Sequence, residues 1–389
     1  MKRQVFKNIL ERLLVLDLSI LLAFGLYNKE FVKHTFIIAL ILFSFIGLLS
    51  LNRFCTAKLK EWISKNIPVL TFITIALLST LISQNQEASW EVFGQRYIPY
   101  FVLYFMGRYL GKKRKYLNFL ITALAAGAVF VSIGSIWDII KAGHFIRIFT
   151  SYKIKCLFPA YFLYTLPFFV GLIIEHKKNI GKIAVLSSGG LIVFVVFCFH
   201  YSRGDWIALL TALFISSLLL KEFRKKGVVL IVVIMCFILL VPVFRRRIIS
   251  YKTLSPSLWG DRVPMWEASF KIFQRFPLLG SGPGTYKYLM YKVIDEKSYT
   301  EGKIHEHAHN TYLEILADMG ILGLLAFVGI FVQFFWHYLR RMPHNNPYYF
   351  PFLIIVSAVL IGDLVDSNML VGVVNASMFW FLFGLAHLE

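Results

Sequence analysis

Repeated apolar runs of about 15 to 22 residues set the frame for this chain, and most are long enough for a helix to cross a hydrocarbon layer of about 30 Å. No water reaches the backbone in such a layer, so each segment must satisfy its own peptide groups, as a helix does. A soluble core of 389 residues would not be 58% hydrophobic in uninterrupted blocks. The runs place spans near 13–28, 35–52, 67–84, 97–111, 117–138, 157–175, 183–200, 206–220, 228–244, 314–335, 349–366 and 369–387. The expected fold is an all-α polytopic membrane protein of about twelve transmembrane helices. Residues 1–389 form one integral membrane domain, and residues 245–308 form a long extracytoplasmic loop between the ninth and tenth spans, containing short amphipathic helices.

Orientation follows from Lys and Arg, which collect in short cytoplasmic loops. With the N-terminus inside, the inner segments Lys2–Arg12, Arg53–Lys65, Arg108–Lys115, Lys177–Lys182, Lys221–Lys226 and Arg340–Arg341 hold 22 of the 41 basic residues. The short outer loops hold only eight: Lys29, Lys33, Arg96, Lys141, Arg147, Lys153, Lys155 and Arg203. Both termini are therefore expected in the cytoplasm. Most of the +20 net charge is this orienting bias, so it does not argue for nucleic acid as a partner. After the first apolar run comes Tyr27-Asn28-Lys29-Glu30, which offers no small-residue signal cleavage site.

Eleven basic residues face six acidic ones in the long loop, and long loops are exempt from the orientation rule. Two explanations stand side by side. Arg245-Arg246-Arg247 after a span suits anionic lipid headgroups, while arginines in the loop suit a phosphorylated ligand, whose oxygens match the guanidinium fork. Lys252, Lys287 and Lys292 are further donors of undecided role. The four cysteines (Cys55, Cys156, Cys198, Cys236) show no metal-type spacing. Cys156 and Cys198 fall near outer span ends, where they could meet.

Local signals give this loop structure. Asp261 can cap a helix that tolerates Pro264 in its first turn and ends at Pro277, with Trp266, Phe270 and Phe273 forming an aromatic face for the bilayer or the bundle end. Arg262 sits in its first turn, where an isolated arginine is commonly just a solvated charge. Gly280-Ser281-Gly282-Pro283-Gly284 lacks a preceding strand and a Gly-Lys-Ser/Thr ending, so it reads as a flexible turn and not as a phosphate loop. Thr311 and Glu314 have capping-box spacing, which puts His309 and Asn310 just ahead of a helix N-terminus. That positive end attracts an anion and favours a neutral imidazole able to accept a proton. The bland alternative is a solvated cluster of His305, His307 and His309. Gly320, Gly323 and Gly329 suit close packing of membrane helices.

Two further places carry charge. Ser202-Arg203-Gly204-Asp205-Trp206 is a very short outer turn, in which Arg203 either snorkels to headgroups or is oriented by Asp205. Asp363, in Gly362-Asp363-Leu364-Val365-Asp366, is costly to bury and needs an arginine or backbone amides as partner.

These elements together resemble the O-antigen ligase family of bacterial envelope glycosyltransferases. The likeness rests on Ser202-Arg203-Gly204-Asp205-Trp206, on Gly260-Asp261-Arg262-Val263-Pro264-Met265-Trp266-Glu267, on His309-Asn310 followed after nine residues by Gly320-x-x-Gly323, and on the Asp363 segment. One departure is Ile207, where the family often places leucine after the first arginine. The resemblance implies transfer of a glycan from undecaprenyl diphosphate to an acceptor sugar hydroxyl of lipid A-core on the periplasmic face of the inner membrane. It implies no metal ion and no cofactor. It also implies His309 as catalytic base, Arg203 and Arg262 on the donor diphosphate, and Asp363, Asn310 and Asp205 in support. A polysaccharide polymerase or a protein O-oligosaccharyltransferase would use the same donor class with another acceptor. A lipid-linked-glycan transporter fits twelve spans, but carriers place their sites near the midplane, often between two similar halves, and no such halves are visible here.

Overall fold

The computed structural model describes residues 2–24, 29–50, 56–142, 159–200, 202–220, 223–242, 244–245, 262–294, 306–341 and 346–387. Among them the regular elements are helical: α1 (Lys2–Phe24), α2 (Lys29–Leu48), α3 (Thr56–Leu81), α4 (Gln86–Val92), a π-helical turn (Phe93–Tyr97), α5 (Ile98–Gly111), α6 (Arg114–Ala142), α7 (Pro159–Glu175), α8 (Ile180–Phe199), α9 (Arg203–Leu219), α10 (Arg224–Leu240), α11 (Arg262–Arg275), α12 (Tyr286–Val293), α13 (Thr311–Arg341), α14 (Tyr349–Gly362) and α15 (Val373–Leu385). Each expected span falls on one of these helices. Four segments are long and apolar enough to cross a membrane by length and composition: Leu59–Leu81, Arg114–Trp137, Ile180–Phe199 and Thr311–Arg340. Shorter apolar helices accompany them at Lys33–Leu48, Ala160–Glu175, Tyr349–Gly362 and Val374–Leu385. The outward faces carry exposed Val185, Leu191, Val229 and Leu240, apolar surface that suits lipid.

Without a hydrophobic drive between helices in lipid, close backbone approach and aromatic packing hold the bundle. α5 and α15 meet so tightly that a Cβ on Gly107 would lie 2.2 Å from the Phe381 carbonyl oxygen, and one on Gly384 would lie 2.1 Å from that of Tyr104. Trp380, Phe383 and Tyr104 pack beside this seam. At one end of the bundle, buried Glu11 accepts hydrogen bonds from Lys113, Tyr109 and Tyr116, and Arg114 pairs with Glu175 at 2.7 Å. The candidate site lies at the other end.

Helix α13 is broken. Gly320 has φ 65° and ψ −167°, a conformation essentially restricted to glycine, and a Cβ there would come within 2.4 Å of Leu278 backbone atoms. Its role is thus to let a loop cross the helix, beyond the helix packing expected of it. The loop supplies carbonyls that cap the second half: Ile321 N–H donates to Pro277 O at 2.9 Å and Leu322 N–H to Leu278 O at 3.3 Å. The glycine-rich stretch is indeed a turn, but one held by many bonds. Ser281 N–H donates to Ala317 O at 3.0 Å, Gly282 N–H to Asp318 O at 2.9 Å, and Gly284 N–H to Asp318 Oδ2 at 2.9 Å.

The amphipathic helix α11 forms, and of the two places open to its aromatic face the bundle is not the main one. Met265, Ala268, Ser269 and Ile272 are buried, Phe270 is exposed, and Trp266 and Phe273 are half-buried. These non-aromatic side chains set α11 against α13, which leaves Phe270 turned outward. Its expected cap, Asp261, lies outside the described residues, as do Cys156 and hence its possible pairing with Cys198.

Candidate functional site

The site is built where α13 begins. Asn310, and not Thr311, is its N-cap: the Asn310 side-chain oxygen accepts from Leu313 N–H at 3.0 Å and its carbonyl from Glu314 N–H at 2.9 Å. The expected capping box fails because both partners are engaged elsewhere. The Thr311 hydroxyl donates to Asp363 Oδ2 at 2.5 Å, and Glu314 Oε2 accepts the Ser367 hydroxyl at 2.9 Å. The Asn310 amide reaches across to Leu364 O at 2.8 Å. The N-terminus of α13 is in this way sewn to the segment that follows α14.

Asp363 is the knot in that seam. Fully buried, it accepts Met369 N–H at 2.9 Å and Asn368 N–H at 3.1 Å besides the Thr311 hydroxyl. Backbone amides are therefore its partners, one of the two options its position allowed. A carboxylate so furnished can stay buried, because each oxygen has donors in place of water.

His309, one residue before the cap, has φ 49°, the one positive φ outside glycine among the described residues. A non-glycine residue in the left-handed region is uncommon and stores strain that the surroundings must sustain, a pattern that clusters at functional sites. Its Nδ1 lies 3.4 Å from Asp366 Oδ1, which also accepts Ser367 N–H at 2.9 Å. About a third of the His309 side chain is accessible and about half of that of Asp366, 35% and 51%. The His307 ring lies 4.1 Å from that of His309, while His305 is outside the described residues.

Enclosure by the protein works to raise the Asp366 carboxyl. The hydrogen bonds with His309 and Ser367 N–H, and then the charges of His309 and Arg262, outweigh it and hold the group below its ordinary value. Arg262, half-buried at the start of α11, therefore stands close enough to act on the carboxylate that touches the imidazole. Arg203 opens α9 on the same side. The next residue, Gly204, lies so near that a Cβ there would be 3.3 Å from Val365 Cγ2. Buried Asp205 accepts the Ser202 hydroxyl, which fixes the turn, and it feels the charge of Asp366. The segment from Asp363 to Ser367 is the common wall against which Arg203, Arg262, His309, Asn310 and Asp205 are arranged.

Two carboxylates and one arginine at this wall were not singled out by the sequence. Asp366 was visible only as the neighbour of Asp363, and Glu314 only as a helix cap. Arg96, in the π-helical turn, acts with His309 on Glu314, and no sequence pattern pointed to it. Of the lysines in question, Lys287 lies over the Tyr288 ring at 4.9 Å and Lys292 lies in the last turn of α12. Lys252 is outside the described residues.

Residues 188–328 match the family described as O-antigen ligase. The chain carries an O-antigen ligase family domain. That stretch contains Arg203, Arg262 and His309, whereas the Asp363–Ser367 wall lies beyond it. An uncharacterized protein of Haemophilus influenzae is 25% identical over 162 residues, which cover 37% of this chain and 41% of that protein. The chain thus matches less than half the length of this relative. The O-antigen ligase domain and the apolar helices make this a membrane protein.

Proposed function

We propose that this O-antigen ligase family protein transfers a glycan from an undecaprenyl-diphosphate carrier to a sugar hydroxyl of a lipid A-core acceptor, at the periplasmic face of the bacterial inner membrane. The observation that carries the reading is His309, held in a strained backbone conformation at a helix N-terminus and bonded to Asp366, a carboxylate that lies in the field of Arg262. In this reading the twelve spans form one domain with both termini cytoplasmic, and residues 245–308 are the periplasmic loop. The concentration of basic residues in the inner segments supports that orientation.

The chemistry then follows from the groups present. With Nδ1 directed at Asp366, the Nε2 of His309 takes the proton of the acceptor hydroxyl as its oxygen attacks the anomeric carbon. The anomeric bond to the carrier phosphate breaks, and the diphosphate leaves with the electron pair. Arg203 and Arg262 receive the growing negative charge, a contribution made in the transition state. Attack opposite the leaving group inverts the anomeric centre. General-base assistance of this kind contributes on the order of 10² to 10⁴ in rate.

Reconstitution of purified protein with carrier-linked glycan and candidate acceptors tests this reading. Wild type forms the glycosylated acceptor with release of carrier diphosphate, and His309→Ala forms none while folding normally. Near-normal ligation by His309→Ala removes the histidine from the mechanism. Product mass separates the acceptors: a longer carrier-linked glycan signifies a polymerase, and a glycosylated polypeptide signifies a protein O-oligosaccharyltransferase. Movement of the carrier across vesicles with no covalent product signifies a transporter.

A further inference from the structure

Arg96 occupies a place that transfer by Arg203, Arg262 and His309 does not use. It lies in the π-helical turn Phe93–Tyr97, a form that appears mostly as single turns, frequently at functional sites. Its surroundings are fixed. Tyr97 is buried and stacks on Phe93 and Phe101, and the hydroxyl of fully buried Tyr100, one turn on, donates to Leu370 O at 3.3 Å. On the other flank Ser89 donates to Pro283 O at 2.8 Å, and Gln84 N–H donates to Ser281 O at 2.9 Å. The turn is thereby wedged between the glycine-rich loop and the segment after Ser367, both bonded to the first half of α13.

This wedge sets Arg96 beside Glu314 and Asp318, whose carboxyls lie in its field. One oxygen of each already has a donor, Glu314 Oε2 from the Ser367 hydroxyl and Asp318 Oδ2 from Gly284 N–H. Among the described residues the Arg96 guanidinium forms no hydrogen bond and no ion pair, although it is half-buried. A guanidinium carries five N–H donors in a fixed fork. On a tightly packed turn, and beside a carboxylate that also lies in the field of His309, it suits a ligand with several anionic oxygens.

We propose that Arg96 binds a phosphate of the carrier diphosphate from the Glu314 side of His309, as Arg262 does from the Asp366 side. The proposal rests on the transferase reading above. Glu314 serves as the neighbouring charge of Arg96, and the incoming phosphate supplies the acceptors that the carboxylate does not. Three arginines from three separate elements then share the leaving diphosphate.

The experiment measures binding of farnesyl diphosphate and farnesyl monophosphate to purified full-length wild type, Arg96→Gln, Arg96→Lys and Arg262→Gln. Wild type prefers the diphosphate. Arg96→Gln weakens diphosphate binding by about 10- to 100-fold, the size of a lost charge-assisted contact, and monophosphate binding by much less, while Arg96→Lys recovers part of the loss. A purely structural role for Arg96 weakens both probes alike, and that result overturns the proposal, as does unchanged binding by Arg96→Gln. Should Arg96→Gln fail to fold, Arg96→Lys carries the test, and a diphosphate preference equal to wild type in it overturns the proposal. Loss in Arg262→Gln with no loss in Arg96→Gln refutes only the role of Arg96. A wild type with no preference for the diphosphate overturns the transferase reading, and this proposal with it.

Discussion

Gly320→Ala tests how the first half of α13, which follows His309, is held. The native backbone, φ 65° with ψ −167°, strains any side-chain-bearing residue by about 1–3 kcal/mol. The added methyl would also stand 2.4 Å from Leu278 C and O and 2.7 Å from Gly280 N, so the loop has to withdraw. Withdrawal weakens two capping bonds, Ile321 N–H to Pro277 O and Leu322 N–H to Leu278 O, each contributing about 1 kcal/mol. The sum is about 3–5 kcal/mol. Thermal denaturation of purified protein in detergent should show a fall on the order of 5–10 °C, and transfer activity should fall with it as the loop loosens its grip on Ala317 and Asp318. An alanine variant that melts within about 1 °C of wild type and transfers at the same rate refutes the argument that this break holds the site.

Asp363→Ala removes the acceptor of one hydroxyl and two buried amides, so it should destabilise by about 3–5 kcal/mol. Asp363→Asn keeps one acceptor oxygen and should recover part of this loss, and melts of the two variants check the order. Asp366→Asn should lower kcat on the order of 10-fold or more with KM little changed, because the acceptor that orients Nδ1 of His309 loses its charge; steady-state kinetics decides, and an unchanged kcat refutes it. The folded carboxyl of Asp366 is held below the ordinary aspartate value of 3.8, so its stabilising contribution is complete above that pH and disappears as pH falls from there through the folded value. Melts at stepwise lower pH should show this acid-side loss in wild type and not in Asp366→Asn, and superimposable profiles contradict it.

The parts of this molecule legible in its sequence are those governed by local rules. Apolar runs located the helices because a membrane span depends on its own composition and little else. His309, Arg203 and Asp363 stood out because a histidine before a helix, an arginine on a very short turn and a carboxylate in an apolar stretch are each locally conspicuous. Asp366 and Glu314 drew no such notice: their roles arise only when the chain end folds back on the start of α13. The cap passed from Thr311 to Asn310 for the same reason, since Asp363, more than fifty positions away, takes the threonine hydroxyl. Periodicity found α11 and its aromatic stripe but left open whether that stripe meets the bilayer or the bundle, because period alone does not say which face α13 accepts. Gly320 was read through its most frequent role in membrane helices, whereas its actual geometry depends on a loop arriving from Leu278.

An interrupted helix also changes how mechanical load travels. In an unbroken rod of 31 residues, any tilt that a thicker or thinner bilayer imposed on one tip would sweep the opposite tip sideways. Here a joint intervenes, and the short piece above it is bolted to Ser79 through the Asp318 carbonyl at 2.7 Å and to Asp363 through Thr311. Deformation below the joint is taken up there, and the imidazole keeps its registration with the protein scaffold while the lipid around it varies.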